Sequence, residues 1–208
     1  MIIAVDGPLA SGKGTIARAL AARFDLPYLD TGSLYRATGI AVLDAGIDPA
    51  DEQACAQAAR TLEIADIDET RIRTAEAGAM ASRVAVLTAV REALFDLQRA
   101  FATQPGGAVL DGRDIGTVIC PDADVKLYVT ADTETRARRR WCELTARGET
   151  ISLDEMLAQT RERDRRDAER SDAPMRPADD ATLLDTSSLS IDAAVAEAVA
   201  IVEKRQKA

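Results

Sequence analysis

The chain's 208 residues, 47% of them hydrophobic, are enough for one domain with room for a subdomain. Acidic residues outnumber basic ones 35 to 26, and the resulting net charge of −9 argues against a protein that coats nucleic acid. Neither His nor Asn occurs, which excludes Ser-His-Asp and Cys-His nucleophiles, His-based metal sites, a guanine-reading Asn-Lys-x-Asp and a protein-kinase catalytic-loop Asn.

The first predicted element is a short apolar strand, Ile2–Asp6. Gly7-Pro8-Leu9-Ala10-Ser11-Gly12-Lys13-Gly14-Thr15 follows it, and an amphipathic helix then runs from Ile16 to Phe24. Strand, glycine-rich loop and helix stand in the order that a phosphate-binding P-loop requires. Glycines let the backbone wrap close to an anion. The loop N–H groups and the positive end of the helix would then face the phosphates, with Lys13 adding a point charge at the β/γ-phosphates. Gly14 stands where the simple motif has Ser or Thr, and the hydroxyl comes one residue later at Thr15. Gly-Lys-Gly-Thr is also found in adenylate-kinase-like enzymes, which points toward nucleotide kinases. The alternative is a glycine turn that merely ends a strand.

A second strand, Pro27–Asp30, leads into Asp30-Thr31-Gly32-Ser33-Leu34-Tyr35-Arg36. Thr31 or Ser33 could serve only as a helix N-cap, but Arg36, one turn into the helix, could return to an anion. Residues 46–78 are acidic and Ala-rich with no obvious central strand, and they predict a small helical insertion. Leu87, Val90, Leu94, Leu97 and Phe101 form one helical stripe. A third strand, Ala108–Asp111, ends in Asp111-Gly112-Arg113-Asp114, either a tight turn or a cluster for metal or substrate. Val125–Thr130 is the fourth strand. Residues 136–176 then carry 11 Arg and no Lys against 9 acidic residues. Arg136, Arg139 and Arg140 share one helical face, as do Arg163, Asp167 and Arg170. One reading is a solvated helix pair laced by bridges such as Glu162–Arg166. The other is an arginine-rich lid over ATP, in which Lys13, Arg136, Arg139, Arg163 and Arg170 stabilise the transferring phosphoryl group. Two prolines keep residues 171–181 a loop. Thr182–Asp185 is the fifth strand, and Ile191, Val195, Ala198, Val199 and Val202 form a final helical stripe.

Strands alternating with helices predict an α/β domain, a five-stranded parallel sheet of the P-loop NTPase type buried on both faces. Ligands would bind beyond the strand carboxyl ends, where Asp6, Asp30 and Asp111 lie. Thr15 and Asp111 are the candidate Mg²⁺ residues. Cys55, Cys120 and Cys142 form no close pair and read as reduced thiols. No apolar run reaches membrane-spanning length and no signal-like segment opens the chain, so a cytoplasmic protein without a membrane partner is expected.

These motifs resemble those of bacterial cytidylate kinases, from Ile2 to the C-terminal helix. The run Asp111-Gly112-Arg113-Asp114-Ile115-Gly116-Thr117-Val118 carries most of the resemblance, with Leu29–Arg36, Pro121–Lys126, Arg136-Ala137-x-Arg139-Arg140 and Glu162-Arg163-Asp164-x-x-Asp167 beside it. The resemblance implies a P-loop nucleoside monophosphate kinase. Such an enzyme transfers the ATP γ-phosphoryl group to CMP or dCMP with Mg²⁺, acts on small-molecule substrates and is expected to be a monomer. It implies a core of residues 1–45, 79–135 and 177–208, an acceptor-binding insertion over 46–78 and a lid over 136–176. Thr31, Arg36 and Arg113 would surround the acceptor phosphate. Ser82, Arg91 and Asp114 would meet cytosine, Arg163 and Asp167 the sugar, and Arg170 a phosphate. Residues 62–78 are too short for the small antiparallel sheet usual in the family. Adenylate, shikimate or dephospho-CoA kinases would share the first loop but not Asp111–Val118. A non-catalytic nucleotide-binding module is the reading from another class.

Overall fold

The computed structural model describes residues 1–169 and 171–206, so Arg170 lies outside the described residues. In chain order the elements are β1 (Ile2–Asp6), α1 (Lys13–Phe24), β2 (Tyr28–Asp30), α2 (Thr31–Asp44), α3 (Glu52–Arg60), α4 (Ala75–Val84) and α5 (Thr88–Ala102). After these come β3 (Ala108–Gly112), β4 (Val125–Thr130), α6 (Thr133–Ala146), α7 (Leu153–Glu169), β5 (Thr182–Asp185) and α8 (Ile191–Gln206). The chain divides into two compact units, Met1–Leu29 with Ala102–Ala208, and Asp30–Phe101.

The first unit is built on the parallel sheet, whose strand order is β2-β3-β1-β4-β5. β1 runs parallel to β3 on one side and to β4 on the other, with Val5 level with Asp111 and with Leu127. β4 in turn pairs in parallel with β5. The uninterrupted run Ile3-Ala4-Val5 is wholly buried, as expected of a central strand covered on both faces. Ile3, Val5, Ile16, Leu20, Leu127, Val129, Leu184, Ala198 and Val202 form one core in which α1 and α8 pack on the sheet. Truncating a side chain as enclosed as Leu20 would cost about 2–5 kcal/mol.

Two expectations about burial are corrected. β5 is an edge strand, and Leu183 on it is 63% exposed. The last helical stripe is centred on Ala194, Ala198 and Val202 rather than on Ile191, which is 68% exposed at the first residue of α8. Apolar character marks a strand or helix, but the number of neighbours it has in the sheet decides how much of it is covered.

Within the same unit, α6 and α7 enclose a small core of Ala137, Leu144 and Met156, with Trp141, Ile151 and Leu157 packed against it. The Trp141 indole N–H donates to Ile151 O at 2.9 Å. Both helix starts are capped by nearby side chains. Asp132 accepts from Thr135 N at 2.7 Å, and Ser152 and Glu155 form a reciprocal capping box.

The second unit is helical. Residues 46–78 contain α3, short 3₁₀ turns at Ile64–Asp66 and Arg71–Arg73, and the start of α4, with no strand. Asp51 and Thr74 cap α3 and α4. Arg71 ties its turn back to α2 through a two-bond contact with Asp44, at 2.9 and 2.8 Å. Among the described residues no helix is long and apolar enough to cross a membrane.

Candidate active site

The glycine-rich loop leaves β1 through a contact that excludes any side chain. A Cβ on Gly7 would stand 1.9 Å from Val129 O, so only glycine lets the loop pass β4. The loop then turns through a left-handed residue that the glycine pattern did not foretell, Ala10 at φ 59°. Gly12, at φ 91°, is the N-cap of α1. It supplies no side-chain cap, and the first turn of the helix holds no acidic residue. The helix therefore presents an uncompensated positive end, ready for an anion.

Lys13 and Asp111 lie together at the base of this loop. Lys13 Nζ is 3.8 Å from Asp111 Oδ2, and Tyr28 OH donates to Asp111 Oδ1 at 2.8 Å. The Asp111 side chain is only 3% exposed, so these contacts hold its charge in place. Gly14 faces it, and a Cβ there would be 3.5 Å from Asp111 Oδ2. Thr15 lies exposed on the same turn. Among the described residues no three Asp, Glu, Cys or His converge into a metal-holding cluster. A single carboxylate beside a phosphate loop nevertheless suits Mg²⁺, which retains several waters and shares itself with substrate phosphates.

The turn after β3 is held by a carboxylate from β1. Asp6, 4% exposed, accepts from Ile115 N at 2.8 Å and from Gly116 N at 2.7 Å. Burial pushes its pKa up to about 7, the charge of Asp114 adds to the rise, and the two N–H bonds and Arg113 oppose it. Residues Ile115–Ile119 form a single π-helical turn. Asp114 precedes that turn but makes no side-chain cap to it, so holding the turn falls to Asp6. Asp114 is itself 6% exposed.

The arginine-rich segment shows both expected characters, on different faces. On the outer face of α7, Arg165 bridges Glu162 and Glu169, and Arg166 lies 3.4 Å from Glu162. On its other side, Asp167 accepts from Arg113 Nε at 2.9 Å, with Arg163 Nε 4.0 Å away. Arg136 and Arg139 of α6 turn instead toward the glycine-rich loop. Arg136 reaches Leu9 O at 3.3 Å, and Arg139 reaches Ser11 O at 3.5 Å. Thr186 reinforces the second contact, donating to Ser11 O at 2.8 Å and accepting from Arg139 at 3.0 Å.

In the second unit, Thr31 opens α2 and Asp30 is its N-cap, so neither Thr31 nor Ser33 is the capping residue. Ser33 instead donates to Asp30 O at 2.6 Å. Arg36 closes a short ion pair with Asp30 across Gly32, where a Cβ would stand 3.0 Å from the Asp30 carboxylate. Arg36 Nε is buried without a protein partner, and so is the hydroxyl of Ser82 on α4. Arg91, on α5, is 6% exposed. Buried polar atoms left unpaired cost stability, so Arg36 Nε and Ser82 Oγ have the character of groups kept for a ligand.

Three residues that the sequence did not place in the site now border it, Asp164, Thr186 and Tyr28, while Asp6, expected at the crevice, serves as a brace. Asp164 lies within the Glu162–Asp167 motif and Asp6 ends the first strand, but their partners are distant in the chain and no local spacing reveals them.

The chain matches the cytidylate kinase family model over residues 3–204. It is 59% identical over 206 residues to a protein named cytidylate kinase from Xanthobacter autotrophicus, covering 99% of both chains. It is 57% identical over 203 residues to a protein of the same name from Methylocella silvestris, covering 98% of this chain and 94% of that one. A solved structure described as an uncharacterized protein from Eubacterium ventriosum shares the fold, with a TM-score of 0.54 at 14% identity, covering 100% of this chain and 99% of that one. With the glycine-rich loop, the Asp111–Val118 turn and the full-length match in agreement, the chain belongs to the cytidylate kinase family.

Proposed function

We propose that this chain transfers the γ-phosphoryl group of ATP to CMP or dCMP, giving ADP and CDP or dCDP. The observation that carries the reading is the uncapped N-terminus of α1 behind the Gly7–Gly12 loop, with Lys13 lodged beside the buried Asp111. Loop residues Gly7, Pro8, Leu9, Ala10, Ser11, Gly12, Lys13, Gly14 and Thr15 cradle the donor phosphates through backbone N–H groups. An oxygen of the acceptor phosphate attacks the γ-phosphorus as the bond to the β,γ-bridging oxygen breaks, and ADP leaves. That acceptor oxygen is already anionic, so no general base is needed. Lys13, with Arg139, Arg163 and Arg170, offsets the charge that builds on the equatorial oxygens. Asp111 and Thr15 would hold Mg²⁺, directly or through water, and when bound the metal supplies further charge neutralisation at the phosphates.

Thr31, Arg36 and Arg113 are assigned to the acceptor phosphate. Ser82 and Arg91 act as donors to cytosine O2 and N3, and Asp114 accepts from the N4 amine. Uracil reverses the polarity at N3 and position 4 and would leave buried groups unpaired. Arg163 and Asp167 are assigned to the sugar, and Arg170 to a phosphate. Residues 46–78 serve as the acceptor-binding insertion and 136–176 as the lid. We read the protein as a cytoplasmic monomer without nucleic-acid or membrane partners, a reading supported by its net charge of −9 and its unbridged cysteines.

A coupled assay with ATP and CMP, dCMP, UMP, AMP or shikimate tests this. CMP and dCMP should be turned over in preference to the rest. Preference for AMP or shikimate, or no turnover of any of them, would overturn the assignment.

A further inference from the structure

We propose that Arg136 and Asp164 form a positioning pair that sets the peptide plane between Leu9 and Ala10, and through it the seat of the donor phosphates. The inference rests on the phosphate-loop reading above and goes beyond it in saying what holds that loop in shape.

Arg136 is 4% exposed, and each of its five N–H donors meets an acceptor. Nε donates to Ala131 O at 2.8 Å. Nη1 donates to Leu9 O at 3.3 Å and to Asp164 Oδ1 at 3.0 Å. Nη2 donates to Thr133 Oγ1 at 3.1 Å and to Asp164 Oδ2 at 2.6 Å. One planar group thus joins the end of β4, the start of α6, the middle of α7 and the glycine-rich loop. A guanidinium engaged in this way has no donor left for a phosphate, so its part in the reaction is to position the loop.

The consequence for the loop follows from peptide geometry. Across a trans peptide, the carbonyl of one residue and the N–H of the next point in opposite directions. With the Leu9 carbonyl drawn to Arg136, the Ala10 N–H faces the other way. The same holds one step along the chain. Arg139 and Thr186 take the Ser11 carbonyl, which turns the Gly12 N–H away from them. Ala10 is held at φ 59°, a conformation that costs a non-glycine residue about 1–3 kcal/mol and persists only where the surroundings over-determine it. Arg136 on the adjoining carbonyl supplies that constraint. Asp164 orients Arg136 with a two-bond contact, the strongest geometry available to the pair.

Steady-state kinetics on Asp164→Asn, Arg136→Lys and the double variant test the proposal, with unfolding temperature measured alongside and the assays run well below it. Lysine retains the charge but offers at most three donors and no fork, so it cannot reach all five acceptors. A displaced loop in a reacting geometry costs about 10–100-fold. We expect each single variant to lose kcat on that scale, and KM for ATP to rise more than KM for CMP. The double variant should lose little more than the worse single one, because the two residues act as a unit. Arg165→Ala, which removes only exposed ion pairs on the same helix, should leave kcat unchanged. Unaltered kcat and KM with only a lower unfolding temperature would overturn the proposal, as would equal increases in both KM values or additive losses. Should Arg136→Lys fail to fold, Asp164→Asn and Asp164→Glu carry the test, with the charge-retaining Glu expected to be the milder of the two. Lys13→Ala in the same assay separates the two layers of argument. If Lys13→Ala is crippled and Asp164→Asn is normal, only the positioning pair fails; if Lys13→Ala is normal, the phosphate-loop reading fails as well.

Discussion

The glycine-rich loop in the first unit and the α2–α4 region in the second solve opposite problems. Around the loop, two backbone carbonyls and the Asp111 carboxylate are held by side chains of the protein itself, while the Ser11 hydroxyl is buried without a protein partner. Arg136 and Asp164 hold Leu9, Arg139 and Thr186 hold Ser11, and Tyr28 and Lys13 flank Asp111. In Asp30–Phe101, the Ser82 hydroxyl and the Arg36 Nε are buried with no protein partner. The difference follows from the ligands. A triphosphate is recognised by backbone N–H groups that must be aimed beforehand, whereas a base and a phosphate are recognised by side chains that bond only when the nucleotide arrives. One region is pre-organised, and the other is completed by its substrate.

The largest expected effect breaks the pre-organised side. Lys13→Ala should lower kcat by about 100–1,000-fold, as removal of a single transition-state donor does elsewhere. Its unfolding temperature should fall only in part, because the buried Asp111 loses a neighbouring cation while the hydrophobic core is untouched. Near-normal kcat would show that the loop does not carry the phosphates.

Next comes base reading. Asp114→Asn keeps the shape and one acceptor but removes the charge and places an NH₂ donor beside the base. We expect kcat/KM for CMP to fall by about 10–100-fold and the CMP/UMP ratio to narrow, with KM for ATP little changed. Because Asp114 makes no side-chain cap to its own turn, the substitution should not destabilise the π-helical segment. A lower unfolding temperature with an unchanged CMP/UMP ratio would remove Asp114 from base recognition.

Ser82→Ala sharpens the comparison on the other side. Removing a buried hydroxyl that lacks a protein partner should leave stability equal or slightly raised, while KM for CMP rises about 3–10-fold, the worth of one hydrogen bond. A loss of stability with unchanged KM would mean that the hydroxyl serves the helix packing and not the nucleotide.

A last effect falls on stability rather than on turnover, as a pH dependence. Asp6 binds its proton more tightly in the folded protein than in the unfolded chain, with its pKa raised from 3.8 to about 7 by burial and by Asp114. The folded state therefore holds the extra proton between about pH 4 and 7, and stability falls as pH rises through that window, at up to about 1.4 kcal/mol per pH unit. Above about pH 7 this contribution is flat. Asp6→Asn should abolish this part of the slope in denaturant titrations from pH 4 to 8. An identical slope in the variant would assign it to other groups.

Much of this was legible in the sequence wherever structure and chemistry are local. Four consecutive apolar residues, a glycine loop and a helical stripe are contiguous, so β1, the loop and α1 could be read directly. The Asp111–Val118 run was enough to indicate the family. What could not be read depends on long-range meetings. The contacts of Arg136 with Leu9 and Asp164 join residues remote in the chain. Asp6 looked like a crevice carboxylate because nothing nearby shows that it holds the turn at Ile115 and Gly116. The left-handed residue at Ala10 was hidden because its cause is a tertiary contact rather than its own side chain.

Hydrogen exchange with each substrate alone tests the contrast between the two regions most directly. CMP alone should slow exchange across residues 75–84 of α4 and at the start of α2. It should leave residues 7–15 and the first turns of α6 nearly unchanged, because their shape is already fixed by Arg136, Arg139, Asp164 and Thr186. Protection of residues 7–15 by CMP alone, or no protection of α4 by CMP, would contradict the account.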